Sequence, residues 1–346
     1  MLAVRQLQWQ SRPELVELPS PRPGPGEVLL KVEAAGLCHT DLHLMEWPEG
    51  TMPYDLPFTL GHETAGTVAA LGPGASGVRE GDRVLVYSRW GCGVCWHCLQ
   101  GRDNVCERPV AEARAHGAGL GRDGGLAEYM IVPSVRHLVP IGDMDPVMAA
   151  PLADAGLTPY HAIKRYQDLL RPNASAVVIG VGGLGHMAVQ MLRALSAVRV
   201  VAVDMREEAL QIARDAGAHA VLSARDLTPE ALRAETGRGG AALVIDCVAA
   251  DATLSLAAGV VAMAGAIQYV GRGGGTLPVA AYGLPFDCSV TVTTWGSVPE
   301  LTEVVGLARS GAIHSEVERF CLADAIDAYA RLDEGHVLGR AVIVPD

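Results

Sequence analysis

Four cysteines lie within fifteen residues of one another and have the spacing of metal ligands. They form a Cys-x2-Cys-x2-Cys-x7-Cys pattern made by Cys92, Cys95, Cys98 and Cys106. Four thiolates surround Zn²⁺ in closed structural sites, which leave no position for a substrate. An iron–sulfur cluster is one alternative, but the bacterial ferredoxin pattern places its fourth cysteine closer and before a proline. Unmetallated thiols are the other alternative, and the spacing favours structural zinc.

A second group of potential ligands is spread over two short segments. GLCHTDLH and GHETAG contain Cys38, His39, Thr40, Asp41, His43, His62 and Glu63. Spacing alone makes neither segment a metal motif, because a single histidine is more often a surface or core residue. What distinguishes these residues is that a thiol and an imidazole occur between apolar strands, with Asp154 following just before the next domain. We therefore treat them as a hypothetical second metal site.

A glycine-rich turn in AVVIGVGGLGHMAVQ has the GxGxxG pattern of dinucleotide-binding proteins. Gly180 permits the tight turn, Gly182 lets a pyrophosphate approach the backbone, and Gly185 lets helix and strand pack closely. Gly183 and Leu184 lie inside this turn and are predicted to contact the cofactor with it. The sequence therefore predicts NAD or NADP binding.

The choice of cofactor depends on Asp204, which ends the next predicted strand 24 positions after Gly180. A carboxylate there binds the adenosine ribose hydroxyls and repels a 2′-phosphate, which favours NAD. Arg206 is near enough to leave NADP use open.

The elements around these motifs change character along the chain. The first 150 residues contain short strand candidates separated by Gly and Pro turns, whereas from about residue 175 apolar strands alternate with helices. The last fifty residues suggest two helices and a strand, too little for a separate core. We predict an α/β chain with a discontinuous β-rich domain at 1–155 and 295–346. A doubly wound parallel sheet forms a nucleotide-binding domain at 156–294.

Charge and composition exclude some classes of binding partner. Lys and Arg total 27 and Asp and Glu total 39, so the net charge of −12 argues against binding to nucleic acid or anionic lipid. The first residues lack the apolar region of a signal peptide, and the uncharged runs are broken by glycines, so no membrane segment is predicted. Eight cysteines are expected to serve metal ligation rather than disulfides. We expect a cytoplasmic protein acting on a small molecule.

With these motifs assembled, the chain resembles the zinc-dependent medium-chain alcohol dehydrogenases, particularly the bacterial NAD-linked type, over nearly its full length. The matching segments are GHExxG at 61–66, the four-cysteine loop, GVGGLG and GLCHTDLH. The resemblance implies a GroES-like catalytic domain and a six-stranded Rossmann domain. It implies hydride transfer between NAD(H) and a primary or secondary alcohol. If the candidate aromatics named below line the pocket, secondary alcohols and ketones fit better than polyols, because no cluster of acids or amides is present to bind several hydroxyls.

The resemblance also implies which residues hold two zinc ions, one catalytic and one structural. Cys38, His62 and Asp154 correspond to the catalytic zinc ligands, Glu63 to an occasional ligand, and Asp41 to the carboxylate that orients His62. Many relatives have cysteine where Asp154 stands. An aspartate replaces a soft thiolate by a harder oxygen, so we expect this zinc to be more Lewis acidic and more easily chelated.

By the same resemblance, Thr40 takes the alcohol proton and passes it through the nicotinamide ribose hydroxyl to His43. The implied cofactor contacts are His39, Thr158, Val248, Val270 and Arg340. Candidate substrate-pocket residues are the aromatics Trp47, Tyr54, Trp90 and Trp295, with core or interface packing as the alternative.

Two other functions remain open from the sequence. A zinc-dependent polyol or aldehyde dehydrogenase would use the same scaffold. A non-catalytic NAD(H)-binding redox sensor is disfavoured because Cys38, His62, Asp154, Thr40 and His43 are all present. DNA binding by the cysteine loop is disfavoured because the loop contains no lysine. The resemblance further suggests a homo-oligomer, either a tetramer or a dimer.

Overall fold

The computed structural model describes residues 1–108, 117–237 and 239–345, which form two compact units. The first unit comprises Met1–Asp154, Gly296–Arg309 and 315–345, and the second comprises Ala155–Trp295 and Ser310–His314. The domain limits 1–155, 156–294 and 295–346 stay a prediction, and residues 109–116, 238 and 346 within them lie outside the described residues.

The first unit is rich in β-structure. Its described strands are β1 (Leu2–Gln6), β2 (Glu14–Glu17), β3 (Val28–Gly36), β4 (Phe58–Thr59), β5 (Glu63–Leu71), β6 (Arg83–Val86), β7 (Gly117–Ala118), β8 (Gly121–Arg122), β9 (Tyr129–Val132), β10 (Leu138–Pro140), β17 (Val317–Cys321) and β18 (Arg340–Val344). Its described α-helices are α1 (His39–Glu46), α2 (Trp96–Leu99), α3 (Pro146–Ala149), α9 (Val298–Arg309) and α10 (Ala325–Asp333).

Strand β3 organises the main sheet of this unit, whose order is β10-β6-β5-β3-β18-β17, with β9 also pairing to β3. Leu30, Val32 and Ala34 alternate along β3 and are buried, as expected for a strand with one face on the core. Antiparallel pairing sets Gly36 opposite Glu63 of β5, and Val342 of β18 opposite Gly36. The segments just beyond these pairs therefore meet at one end of the sheet.

The second unit is a six-stranded parallel sheet with helices. Its described strands are β11 (Ser175–Ile179), β12 (Arg199–Asp204), β13 (Ala220–Ser223), β14 (Ala241–Asp246), β15 (Val261–Tyr269) and β16 (Ser289–Val292). Its described α-helices are α4 (Leu157–Lys164), α5 (Gly185–Leu195), α6 (Glu207–Asp215), α7 (Pro229–Thr236) and α8 (Asp251–Val260).

The strand order is β13-β12-β11-β14-β15-β16, and every neighbouring pair is parallel. The order reverses beside β11, and ligands of such sheets bind where the strands on either side of a reversal end. The predicted α/β class, a β-rich part with a doubly wound parallel sheet, is confirmed. Within the described ranges, none of the helices combines the length and apolarity needed to cross a membrane.

Candidate functional site

The end of the main sheet in the first unit brings together three side chains of metal-ligand type. Cys38 follows β3 and caps α1, His62 precedes β5, and Asp154 ends a 3₁₀ turn. The Cys38 Sγ atom lies 3.4 Å from Asp154 Oδ2, and His62 Nε2 lies 3.7 Å from the same oxygen. All three residues are buried. The register of β3 with β5 accounts for the meeting of the first two.

The donor set fits zinc. One ligand atom from each residue lies within 4.8 Å of the other two, so a single ion can reach all three. Catalytic zinc sites have three protein ligands drawn from cysteine, histidine and carboxylate, and a fourth position for water or substrate. The arrangement can therefore act as an open metal site.

Asp41 supports two of the three candidate ligands. Its Oδ1 lies 3.1 Å from His62 Nδ1, and its Oδ2 accepts from the Cys38 backbone N–H at 3.0 Å. Oδ2 also accepts from the Tyr329 hydroxyl at 3.1 Å. A proton on Nδ1, held by Asp41, leaves the Nε2 lone pair directed at Cys38 and Asp154.

The neighbours of His62 favour its protonated form. Burial lowers the pKa of His62, but the Asp41 carboxylate and hydrogen bonds with Asp154 and Cys38 outweigh burial and raise it well above its usual value. Because a metal binds the neutral imidazole, metal binding at this site must release a proton.

Glu63 and Arg340 form a buried ion pair beside the ligands. Arg340 Nε and Nη2 donate to the two Glu63 oxygens at 2.8 and 2.5 Å, and Nη2 is 3.3 Å from Asp154 Oδ2. Burial disfavours the charge of Arg340, but the Glu63 carboxylate raises its pKa well above the usual value. A side chain on Gly36 would overlap the Glu63 carboxylate, so this glycine leaves room for the pair. The pyrophosphate role of Arg340 stays a prediction.

Helix α1 carries the candidate proton relay. The Thr40 backbone N–H donates to Cys38 Sγ at 3.5 Å, and Thr40 Oγ1 lies 3.6 Å from that sulfur. His43 follows on the same helix, and its ring stacks on Trp47 with a centroid distance of 6.4 Å. Thr40, His43 and Trp47 are half-buried, whereas His39 is exposed. The helix thus places a hydroxyl next to the metal ligands and an imidazole one turn further on.

The four cysteines form a second ligand group. Their sulfurs lie within 4.8 Å of one another, with Cys92–Cys98 and Cys95–Cys106 distances of 3.9 Å. Tetrahedral sites with Zn–S bonds of about 2.3 Å require sulfur separations of about 3.8 Å, so the geometry fits zinc. Hydrogen bonds from the backbone of Cys98 and Glu107 lower the pKa of Cys95 to about 6, which favours the thiolate.

A buried carboxylate joins the loop that carries these cysteines to the 3₁₀ turn Val135–His137, which precedes β10. Asp103 accepts from the Gly91 N–H at 3.1 Å and from Arg136 Nη2 at 2.8 Å.

The glycine turn of the second unit has the predicted geometry. Gly180 has a φ of +84°, which favours glycine, and its N–H donates to Val203 O at 2.8 Å. A side chain on Gly185 would overlap the Gly180 carbonyl, whereas Gly182 has open space around its missing Cβ. Open space at Gly182 is what the close approach of a ligand requires.

Asp204 has a second contact that the sequence did not suggest. Its Oδ2 accepts from the Val181 N–H of the glycine turn at 2.7 Å, and its Oδ1 accepts from the Arg206 N–H at 2.9 Å. The Arg206 Nε lies 3.8 Å from Oδ1. Asp204 therefore also holds the turn in shape.

The other residues predicted to contact the cofactor differ in how exposed they are. Thr158 and Val270 are buried, and Gly183 and Leu184 are half-buried in the glycine turn. Val248 is exposed, and its Cγ2 lies near Gly180. Their contacts with a cofactor stay predictions.

The predicted pocket aromatics are dispersed. Trp47 directly follows α1 as its C-cap and stacks on His43, and Tyr54 is buried with its ring edge-on to Phe58. Burial raises the pKa of Tyr54, whereas the charges of Arg89 and His62 act to lower it. The half-buried Trp90 donates to Tyr87 O at 2.9 Å and packs on His137. Trp295, half-buried with a φ of +43°, belongs to the second unit.

Sequence reasoning missed Tyr329 altogether. Its one signal is periodicity, because the buried residues of α10 are Ala325, Ala328, Tyr329 and Leu332. That spacing marks a helix face directed at the core, where a tyrosine hydroxyl needs a partner. The identity of the partner, Asp41, depends on tertiary structure.

Comparison with known proteins gives consistent matches. Residues 24–143 match the family described as "Alcohol dehydrogenase GroES-like domain", and residues 183–310 match "Zinc-binding dehydrogenase". An NAD-dependent alcohol dehydrogenase of Sulfurisphaera tokodaii is 34% identical, with 100% of both chains covered. A D-arabinose 1-dehydrogenase (NADP(+)) of Saccharolobus solfataricus is 35% identical, with 94% of this chain and 92% of the relative covered.

The fold is similar as well. The crystal structure of an alcohol dehydrogenase from Aeropyrum pernix matches with a TM-score of 0.91 and 34% identity, covering 100% of both chains. These matches confirm the prediction of a GroES-like part with a Rossmann part.

Two glycines of the nucleotide turn provide a matched pair for mutation. We expect Gly182→Ala to change the free energy of unfolding by less than about 0.5 kcal/mol, because the added methyl meets open space. It should weaken NAD binding about tenfold, or about 1.4 kcal/mol, by blocking the approach of the pyrophosphate. Denaturant unfolding and calorimetric titration with NAD measure the two effects.

Gly185→Ala serves as the contrast. Its methyl would meet the Gly180 carbonyl oxygen, so we expect a loss of about 1–3 kcal/mol in unfolding free energy. An unchanged NAD dissociation constant in Gly182→Ala would contradict the binding role of the turn.

Proposed function

Because the chain belongs to the zinc-dependent medium-chain alcohol dehydrogenase family, we propose that it interconverts alcohols and carbonyl compounds with NAD(H), with secondary alcohols and ketones as preferred substrates. The observation that carries this proposal is the convergence of Cys38, His62 and Asp154 in a buried group with the Thr40 hydroxyl beside it. We propose one catalytic zinc at this group and one structural zinc at the four cysteines.

Zinc, when bound, supplies a Lewis acid that lowers the pKa of an alcohol, and NAD supplies the hydride acceptor. The chain's own residues hold and orient these groups. Asp41 keeps a proton on His62 Nδ1, so that Nε2 serves as a ligand. Thr40 Oγ1 accepts the alcohol proton as it releases its own hydroxyl proton towards the ring of His43, which passes a proton to solvent. Glu63, paired with Arg340, serves as an occasional ligand.

On the cofactor side, the glycine turn binds the pyrophosphate through backbone N–H groups. Asp204, placed after β12, accepts from the adenosine ribose and disfavours a 2′-phosphate. The similarity to an NAD-dependent alcohol dehydrogenase supports this choice. We also propose that His39, Thr158, Val248, Val270 and Arg340 contact the cofactor.

A polyol or aldose substrate is the second candidate. The similarity to a D-arabinose 1-dehydrogenase favours it, and that relative uses NADP(+). The predicted pocket aromatics and the engagement of the carboxylates favour apolar substrates instead. Tyr54 and Trp47 offer ring surface, and the nearby carboxylates Asp41 and Glu63 are already engaged by buried donors.

We further propose that the enzyme is a cytoplasmic homo-oligomer. All eight cysteines lie within the described residues and none forms a disulfide, which suits a reducing compartment. The second unit exposes a group of large apolar residues: Met263, Val279, Tyr282, Phe286 and Val292. The backbone N–H of Ala264 donates to Phe286 O, and the ring of Tyr282 packs edge-on against Phe286, so Met263, Tyr282 and Phe286 lie close together. Val292 lies on edge strand β16. A second copy of the chain would cover both the apolar surface and the strand edge.

The direct test is a substrate panel run together with metal analysis. We expect about two zinc ions per chain and higher kcat/KM for 2-alcohols than for sorbitol, D-arabinose or formaldehyde, with NAD preferred over NADP. Higher kcat/KM on polyols or aldoses would select the second candidate. Preference for NADP would refute the role given to Asp204, and absence of alcohol-dependent NADH formation would refute the enzyme proposal.

Thr40→Ala tests the proton relay. We expect kcat to fall about 100- to 10,000-fold, since the first proton acceptor is removed, while the zinc content stays unchanged. His43→Ala should reduce kcat less, because water can replace its ring. Thr302→Ala, on the exposed face of α9, is the control and should retain full activity. If Thr40→Ala turns over normally with zinc bound, Thr40 has no part in the relay.

The double variant Tyr282→Asp with Phe286→Asp tests the oligomer surface. Because two charges would be buried at the interface, we expect dissociation to smaller species in size-exclusion chromatography with light scattering. Leu15→Asp, which alters a partly exposed residue of the first unit, is the control and should leave the assembly intact. An unchanged molar mass in the double variant would place the interface elsewhere.

A further inference from the structure

Tyr329 is a buried polar residue that the proposed chemistry does not use. It lies on α10, only 3% exposed, and its hydroxyl donates to Asp41 Oδ2 at 3.1 Å. The two residues are 288 positions apart in the sequence. Burial raises the pKa of Tyr329 well above its usual value, so the phenol remains a proton donor at neutral pH.

The carboxylate that Tyr329 contacts is connected to two metal-ligand residues at once. Asp41 accepts from the Cys38 backbone N–H at 3.0 Å and faces His62 Nδ1 at 3.1 Å. The Cys38 N–H and the His62 ring belong to the candidate metal ligands themselves. The Tyr329 hydroxyl is the third group on Asp41, and it comes from helix α10, far away in the sequence. A carboxylate with two donors on one oxygen and a third facing the other has little freedom to rotate.

The same C-terminal segment, defined here as residues 325–344, makes a second contact with the site. Arg340 begins β18 and lies 3.3 Å from Asp154 Oδ2 while it pairs with Glu63. The segment therefore touches the carboxylate that supports His62 and also the carboxylate that is itself a ligand. The packing of this segment and the positions of the candidate ligands therefore depend on the same buried contacts.

We propose that Tyr329 is a positioning residue of the metal site, which acts through Asp41 to fix the ring of His62 and the backbone of Cys38. This inference rests on the proposed function, because it takes Cys38, His62 and Asp154 as zinc ligands. Outer contacts of this kind orient the ligands and increase metal affinity. Since coupling is reciprocal, zinc binding also stabilises the docking of α10.

The test measures zinc release from the holoenzyme to excess EDTA. Cys38→Ser identifies the phase that belongs to the Cys38 site, because that phase is lost or accelerated, and the four-cysteine site provides the internal control phase. We expect Tyr329→Phe to accelerate release from the Cys38 site about tenfold, the lower end of the effect of outer contacts. The phenylalanine ring retains the shape of the side chain, so only the hydroxyl is lost.

Tyr87→Phe is the matched control. Tyr87 is also buried in the first unit, and its hydroxyl donates to Gly296 O at 2.8 Å. Both variants lose one buried hydrogen bond, so both should be destabilised by a similar amount, but only Tyr329→Phe should release zinc faster. Equal release rates in the two variants, or an unchanged rate in Tyr329→Phe, would overturn the proposal.

Hydrogen exchange on the unaltered enzyme gives a test that does not depend on any variant folding. Removing zinc from the Cys38 site should lower amide protection in α10 but not in α9. Unchanged protection of α10 would overturn the proposal. If the unaltered enzyme binds no zinc at Cys38 while it oxidises alcohols, the proposed function fails instead, which separates the two outcomes.

Discussion

The site depends on the balance of charge in a buried group of acids. Cys38, Asp41, Glu63 and Asp154 are all buried at one end of the main sheet of the first unit. An ionised group buried without a partner costs several kcal/mol, so such a group is stable only with compensating cations and hydrogen bonds. Arg340 offsets part of the negative charge through Glu63 and Asp154. His62 faces Asp41 and Asp154, and its raised pKa makes it a second source of positive charge. In the proposed holoenzyme a divalent cation would replace the proton of His62 in this balance.

Backbone register brings this acidic group together. Pairing of Gly36 with Glu63 places Cys38 and His62 at one end, and pairing of Val342 with Gly36 adds Arg340. The participants are distant in the sequence, since Glu63 and Arg340 are 277 positions apart. A one-residue shift of either strand would reverse which side chains face the core, so sheet pairing and the chemistry of the site are specified together.

The parts that could be predicted from the sequence are those with local geometry. The glycine turn needs only a strand, three glycines and a helix in order, and the four cysteines need only one loop. Both were recognised with their surroundings. The GroES-like and Rossmann parts followed from the family resemblance, as did the hypothesis for Cys38, His62 and Asp154.

The remaining features depend on long-range packing. The Tyr329 hydroxyl on Asp41 has no local signal beyond the buried helix face. Ser88, whose hydroxyl donates to the His62 carbonyl, has none at all. Residues 310–314 join the second unit through hydrogen bonds between Gln190 and the His314 backbone. No sequence pattern near either residue predicts this contact.

The aspartate among the proposed catalytic ligands has a consequence for resistance to oxidants. The group of Cys38, His62 and Asp154 contains one sulfur, so mild oxidation cannot close it with an internal disulfide. The four-cysteine loop has sulfurs 3.9 Å apart and lacks this protection. We therefore expect peroxide to oxidise the four-cysteine loop to disulfides, which removes its zinc ligands. In the catalytic group, peroxide can only add oxygen stepwise to the single buried thiol of Cys38.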